Sequence, residues 1–232
     1  MTQGGYRQFC PVAMASEILC NRWTMLVLRE LVCGSTRFNE LRRGLPRMSP
    51  GLLSKRLQEL EQAGIVHRTP GTKGSLEYKL TPAGRDLEPI IMAIGAWGQR
   101  WIEAELSLAN LDADLLMWDM RRCLNAEPMP SQRAVIELMF PEQASKHRRY
   151  WLVIEPGAAI DVCFVDPGFD VDLFVSVDLR TMTAIWLGLD TVKGALERGA
   201  ILLTGDARLA ASTQTWLGLS GFAGEPRMVA AA

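Results

Sequence analysis

Histidine is scarce: His67 and His147 are the two in 232 residues. General acid–base catalysis and zinc ligation both lean on that side chain, so the scarcity already weighs against either. The chain also lacks GxSxG, Walker A, HExxH and GxGxxG signatures, which removes the sequence-readable routes to a hydrolase, a P-loop nucleotidase, a zinc protease or a dinucleotide enzyme. No apolar run approaches the roughly 18 residues of a membrane span. The start, MTQGGYRQFC, has no basic stretch leading into an apolar one, so no signal peptide is predicted. Cysteine is sparse and irregular: Cys10, Cys20, Cys33, Cys123 and Cys163 are odd in number and form no CxxC pair. That argues against structural zinc and for reduced thiols in a cytosolic protein. Repeats and low-complexity tracts are missing too. The expectation is a non-enzyme with no cofactor and no metal.

What is present is a soluble composition, 48% hydrophobic and 22% charged, in a chain long enough for two domains. The net charge of −1 hides a split. Residues 1–100 hold 14 Lys and Arg against 8 Asp and Glu, and residues 101–232 hold 11 against 18. A basic front and an acidic rear predict contact with a polyanion at the front only.

Helical periodicity marks the front. Val12, Met14, Ala15, Ile18 and Leu19 recur at helix spacing, and a second helix is predicted from Arg22 to about Val32, with Trp23, Leu26, Val27, Glu30 and Leu31. RFNELRRGL gives a third. The fourth has the clearest boundaries: Ser49 as N-cap, Pro50 in the first helical position and Gly64 past the end. Leu53, Leu57 and Leu60 fall on its inner face, which turns Pro50, Gly51, Ser54, Lys55 and Gln58 outward. Its first turns hold small residues and then Lys55 and Arg56, an order suited to phosphates and base edges rather than to a plain solvated surface. Strands at 65–69 and 76–81 flank an exposed PGTKGS tip. Thr81-Pro82 opens a helix expected to run towards Leu108, bending near Gly95 or Gly98. Ile90, Ile94, Trp97 and Trp101 line one side of it, as internal core or as a dimer seam.

DADLLMWDMRRCLN reads as a further helix, and the two prolines of EPMPS at 127–131 mark the strongest boundary. The divisions expected are residues 1–110, a linking helix over 111–126, and 127–232. The rear reads as strands (RAVIELMF, YWLVIE, AIDVCFVD, FDVDLFVSVD), then a helix (TMTAIWLGL), a strand (AILLTG) and a last helix. The predicted fold class is therefore two domains: an N-terminal mainly-α winged helix-turn-helix and a C-terminal α+β domain with an antiparallel sheet and helices.

CPV at 10–12, RWTMLVLREL at 22–31, RFNELRRGLP at 37–46, SPGLLSKRLQELEQAGIV at 49–66 and EYKLTPAG at 77–84 resemble the HxlR-type winged helix-turn-helix regulators, cousins of the MarR group. The resemblance covers roughly 40% of the chain. It implies a homodimeric transcription factor with the helix after Ser49 in the major groove and the hairpin over 68–79 as wing, and the regulator expected from the whole chain is a repressor. It also implies pairing through first and last helices, here Cys10, Val12, Ile90, Ile94, Trp97 and Trp101. VDLFVSVD at 171–178, TAIWLGL at 183–189 and GAILLTGDARLA at 199–210 resemble the sterol-carrier-protein type 2 fold, which implies an apolar tunnel for a hydrophobic ligand.

The predicted DNA contacts are Arg37, Arg42, Arg43, Arg47, Ser49, Pro50, Gly51, Ser54, Lys55, Arg56, Arg68 and Lys73. The cations neutralise phosphates, while Ser49, Pro50, Gly51, Ser54 and Lys55 stand nearest to base edges. In the rear, Trp118, Met139, Trp151, Phe164, Phe174, Met182, Trp186 and Trp216 form either a packed core or an apolar pocket for a small hydrophobic effector. Cys10 matches the position where some HxlR-type regulators carry a redox-active cysteine. A continuous helix sets Cys20 about 15 Å away, which excludes an intrachain bridge. Three functions stay open: an effector-controlled DNA-binding regulator, a thiol sensor, and a lipid- or metabolite-binding protein whose front half is a dimerisation platform.

Overall fold

The computed structural model describes residues 5–71, 74–158 and 160–229, and the chain divides into two units between Gly95 and Ala96. In the first unit, helices α1 (Pro11–Leu19), α2 (Thr24–Val32), α3 (Phe38–Arg43) and α4 (Pro50–Gln62) precede an antiparallel hairpin, β1 (Val66–Pro70) and β2 (Leu76–Leu80). A short α5 (Pro82–Arg85) follows, and the division falls inside α6 (Glu88–Trp101). Leu53, Leu57 and Leu60 of α4 are buried together with Val27, Leu28 and Leu31 of α2, Leu41 of α3 and Ile91 of α6. The apolar stripe of each helix thus meets its neighbours in one core.

Two expectations for residues 22–108 change. α2 begins at Thr24, because Trp23 takes a left-handed φ of +79° that no helix can include. Its inner side uses Leu28 beside Val27 and Leu31, while Leu26 is exposed. The helix expected from Pro82 to Leu108 is three pieces, and Gly95 and Gly98 both lie within α6 rather than at a break. The first break comes after α5, whose Gly84 packs so closely that a side chain there would strike the Ile65 carbonyl at 2.2 Å. The second comes at Glu103, which is extended (ψ 139°) and starts α7 (Ala104–Leu108).

The second unit adds α8 (Ala113–Cys123), β3 (Ala134–Met139), β4 (Arg149–Ile154), β5 (Asp161–Cys163), β6 (Leu173–Val177), α9 (Leu179–Trp186), α10 (Val192–Glu197), β7 (Ile201–Gly205), α11 (Ala207–Ala211) and α12 (Thr213–Leu217). The strands form one sheet in the order β5-β4-β3-β6-β7. All pairs are antiparallel except β3 with β6, which is parallel. The sheet is therefore mixed, not antiparallel as expected: after β5 the chain crosses back past β4 and β3 to lay β6 on the far side of β3, and a parallel neighbour always needs such a crossover.

Ala134, Ile136 and Leu138 alternate with residues of the other face and share a core with Tyr150, Leu152, Leu173 and Val175, and with α8, α9 and α12. α8 contributes Leu116, Met117, Trp118 and Met120 to that core, so it is a layer of the second unit and not a linker ahead of it. α10 had no counterpart in the sequence reading.

Candidate nucleic-acid interface

The N-terminus of α4 is built from local chemistry. Ser49 is extended (φ −67°, ψ 145°), and its hydroxyl accepts the Leu52 N–H at 3.3 Å. Pro50 supplies the fixed φ of the first helical residue, and Gly64 closes the other end at φ +72°. With the leucines inward, Ser49, Pro50, Gly51, Ser54, Lys55 and Gln58 are exposed along one side. These are the predicted base-edge residues, together on a helix whose first turns carry no acid.

The predicted phosphate contacts are in different states. Arg37, Arg42, Arg43, Arg47, Lys55 and Arg68 are exposed. Arg42 and Arg47 form no ion pair among the described residues. Lys55 reaches Glu59 at 4.0 Å, and Arg37 reaches Glu77 at 3.8 Å. Arg56 departs from expectation: its side chain is 14% exposed, bonds Glu59 and donates from Nε to the Arg22 carbonyl at 3.1 Å. It ties α4 to the turn before α2 and does not face outward with Lys55. Lys73 lies outside the described residues.

The wing is broader than a hairpin. The Tyr78 N–H donates to the Thr36 carbonyl at 2.7 Å, and Arg37 bridges Glu77, so the segment leading into α3 pairs alongside β2. Between α4 and the wing lies a cleft of about 690 Å³ walled by Ser54, Gln58, Glu61 and Gln62 on one side and Arg68 and Tyr78 on the other. Arg68 Nε donates to Glu61 Oε1 at 2.8 Å across it. That hydrogen bond, then the charge of Glu61, holds the guanidinium above its already high ordinary pKa.

Behind the interface, Glu30 is fully buried and accepts from Arg29 Nη2 at 2.8 Å and from Ser35 Oγ at 3.2 Å. Arg29 Nη2 also donates to the Gly44 carbonyl at 2.9 Å, which anchors the end of α3 just ahead of the turn into α4. Sequence reasoning placed Glu30 on the apolar stripe of α2 without drawing the consequence. An acid on an apolar stripe was the available signal for a buried network. Glu61 gave no such signal, since Arg68 comes from another element, and Glu77 gave none for its contact with Arg37, which precedes α3.

The remaining predicted residues fall elsewhere. α1 buries none of its residues, and Val12 is 73% exposed. Cys10 is the N-cap of α1, half-buried, and Cys20 caps the opposite end. On α6, Ile90, Ile94, Trp97 and Trp101 are exposed by 46, 52, 60 and 50%, and Ile91 is the buried residue. The eight rear residues do not surround one cavity. Trp118, Met182, Trp186 and Trp216 lie in the helix-side core with Phe164 packed against it, whereas Met139, Trp151 and Phe174 belong to the opposite sheet face. The Trp216 indole N–H is already used by the Leu209 carbonyl at 2.8 Å. Among the described residues no group of three His, Cys, Asp or Glu could hold a metal ion.

A family model for HxlR-like helix-turn-helix proteins matches residues 18–106. The uncharacterized HTH-type transcriptional regulator YvaP of Bacillus subtilis (strain 168) is 41% identical over 99 residues, 41% of this chain and 92% of its own length. The uncharacterized HTH-type transcriptional regulator sll1512 of Synechocystis sp. is 39% identical over 98 residues, 41% of this chain and 73% of that protein. The reduced form of the transcriptional regulator YodB from B. subtilis is 34% identical, covering 40% of this chain and 93% of that one, with a TM-score of 0.35. With a matching family model and a relative covered over nine-tenths of its length, the chain belongs to the HxlR-like helix-turn-helix family of transcriptional regulators.

Proposed function

We propose that the chain is a homodimeric, sequence-specific DNA-binding repressor in the cytoplasm whose second unit takes a small hydrophobic effector. The observation that carries the DNA reading is the exposed N-terminal half of α4, free of acids and preceded in the chain by the exposed Arg42, Arg43 and Arg47. Ser49, Gly51, Ser54 and Lys55 approach base edges there, and the arginines take phosphates.

Pairing is supported by apolar surface left open on α1 and α6: Val12, Ile90, Ile94, Trp97 and Trp101. So much exposed aliphatic and aromatic surface is unusual for a monomer. Two recognition helices in a dimer address half-sites about 34 Å apart. The sterol-carrier-like reading of the second unit rests on its three resembling segments, which form β6, α9, and β7 running into α11. An effector there acts by favouring one dimer geometry over another. No helix among the described residues is long and apolar enough to cross a membrane.

The deciding measurement is affinity for the DNA upstream of the chain's own gene at two salt concentrations, with a random duplex as control. Specific binding that weakens steeply with salt is expected. Absence of binding at low salt overturns the reading and leaves the front half a dimerisation platform. The thiol-sensing alternative is favoured by Cys10 at the N-cap of a helix proposed to pair between subunits. It fails if mild oxidation leaves DNA affinity unchanged, or if Cys10→Ser responds as the parent does.

A further inference from the structure

We infer that Glu61 sets the DNA selectivity of this protein by competing with phosphate for Arg68 across the cleft between α4 and the wing. The inference rests on the DNA-binding reading above. Its geometry is independent of it: Arg68 Nε donates to Glu61 Oε1 at 2.8 Å, with the two side chains 51% and 30% exposed. Both line the cleft that Ser54 and Gln58 share. Ser54 and Gln58 are on the outward side of the recognition helix, so a duplex lying along that helix brings a phosphate strand towards the cleft.

An acid there has two opposed effects. It repels any phosphate entering the cleft, and it occupies one edge of the guanidinium that phosphate needs. It also fixes Arg68 by Nε alone, leaving both terminal nitrogens to meet a phosphate placed in line with them. A duplex held in a single register by base-edge contacts can present that phosphate and recover the cost. A duplex bound through phosphates alone shifts among registers and meets mainly the repulsion. Glu61 therefore weakens non-specific binding more than specific binding. The same arrangement recurs at lower strength where Glu77 holds Arg37 at 3.8 Å and Lys79 at 3.1 Å.

The test uses the full chain, a random duplex and the chain's own upstream DNA. In Glu61→Gln, random-duplex affinity is expected to rise about three- to ten-fold, and the salt slope on that duplex to steepen by about one as Arg68 is released to phosphate. Affinity for the upstream DNA changes less than two-fold, so the specificity ratio falls. Measured against Arg68→Ala alone, adding Glu61→Gln gives less than half the random-duplex gain, because only the direct repulsion is then relieved. An unchanged or weakened random-duplex affinity in Glu61→Gln overturns the inference, as does a gain of the same size without Arg68. Both outcomes are read against a parent protein that binds DNA; a parent that binds no duplex instead sinks the reading beneath. Arg68 is exposed, Glu61 is half-buried and neither belongs to the core, and a thermal melt within a few degrees of the parent shows each variant folded.

Discussion

The Glu30 carboxylate fills the space that a side chain on Gly44 would need: a Cβ there would come within 2.0 Å of the carboxyl carbon and of one of its oxygens. Gly44 has an ordinary right-handed φ of −74°, so alanine suffers no backbone strain. Gly44→Ala must instead push a fully buried charge away from Arg29 and Ser35. Displacing a satisfied buried ion, on top of overpacking, costs about 2–4 kcal/mol. Chemical unfolding followed in the first unit checks this; a loss under about 0.5 kcal/mol, the range of an ordinary surface substitution, means the carboxylate has somewhere else to go.

Arg47 and Arg56 are both basic and both close to α4, yet they are expected to fail in different assays. Arg47 is exposed with no ion pair among the described residues. Arg47→Ala therefore weakens binding to all duplexes and flattens the salt slope by about one, with little effect on folding. Arg56 is 14% exposed and bonded to Glu59 and to the Arg22 carbonyl. Arg56→Ala lowers stability by about 1–2 kcal/mol and affects DNA mainly through the loosened helix. Paired melting and binding curves for the two variants separate these outcomes.

The contrast between these arginines shows what the sequence could disclose. The start of α4 was legible because its causes are local: Ser49 caps, Pro50 is preset, and Gly64 closes. The leucine spacing fixed which side faces inward. Arg56 follows Lys55 directly but sits about 100° further round the helix, and only the position of Arg22 decides that it turns inward. Glu61 and Arg68 are seven residues apart and meet because the chain reverses at Gly64. The parallel pairing of β3 with β6 was least legible, since it depends on where a crossover between distant strands lands. The rear aromatics were grouped by type, and the pleat then divided them between two faces.

Ile94 offers the sharpest test of pairing. It is 52% exposed on the outer side of α6, while Ile91, three residues before it, is buried in the first core. A charge at Ile94 leaves that core intact and puts an unpaired carboxylate into any seam formed by this side of the helix. Ile94→Asp is expected to convert a dimer into a monomer at micromolar concentration, with the helical signal retained, and to weaken DNA binding by at least ten-fold, because one half-site alone is then held. Sedimentation of parent and variant decides it, and a variant as dimeric as the parent places the seam elsewhere.

Tyr150 makes the stability of the second unit sensitive to alkali. Its ring is fully buried, edge-on to Phe140 and Phe164, and its hydroxyl donates to Asp114 Oδ1 at 2.7 Å. His147 Nδ1 lies 3.0 Å from the same oxygen. Burial first, and then the hydrogen bond and charge of Asp114, push the phenol well above its ordinary value. A raised pKa means that the folded state keeps a proton the unfolded chain gives up near pH 10, the usual value for tyrosine. The stabilisation is therefore complete below that pH and drains away above it, by up to about 1.4 kcal/mol per pH unit. Tyr150→Phe removes the titration together with the hydrogen bond. At neutral pH the variant is less stable by about 1 kcal/mol, since Asp114 loses a donor. Above about pH 10 its stability falls less steeply than that of the parent, and the two curves converge. Urea unfolding at a series of alkaline pH values measures both slopes, and parallel curves throughout mean that Tyr150 ionises in the folded protein as freely as in the unfolded one.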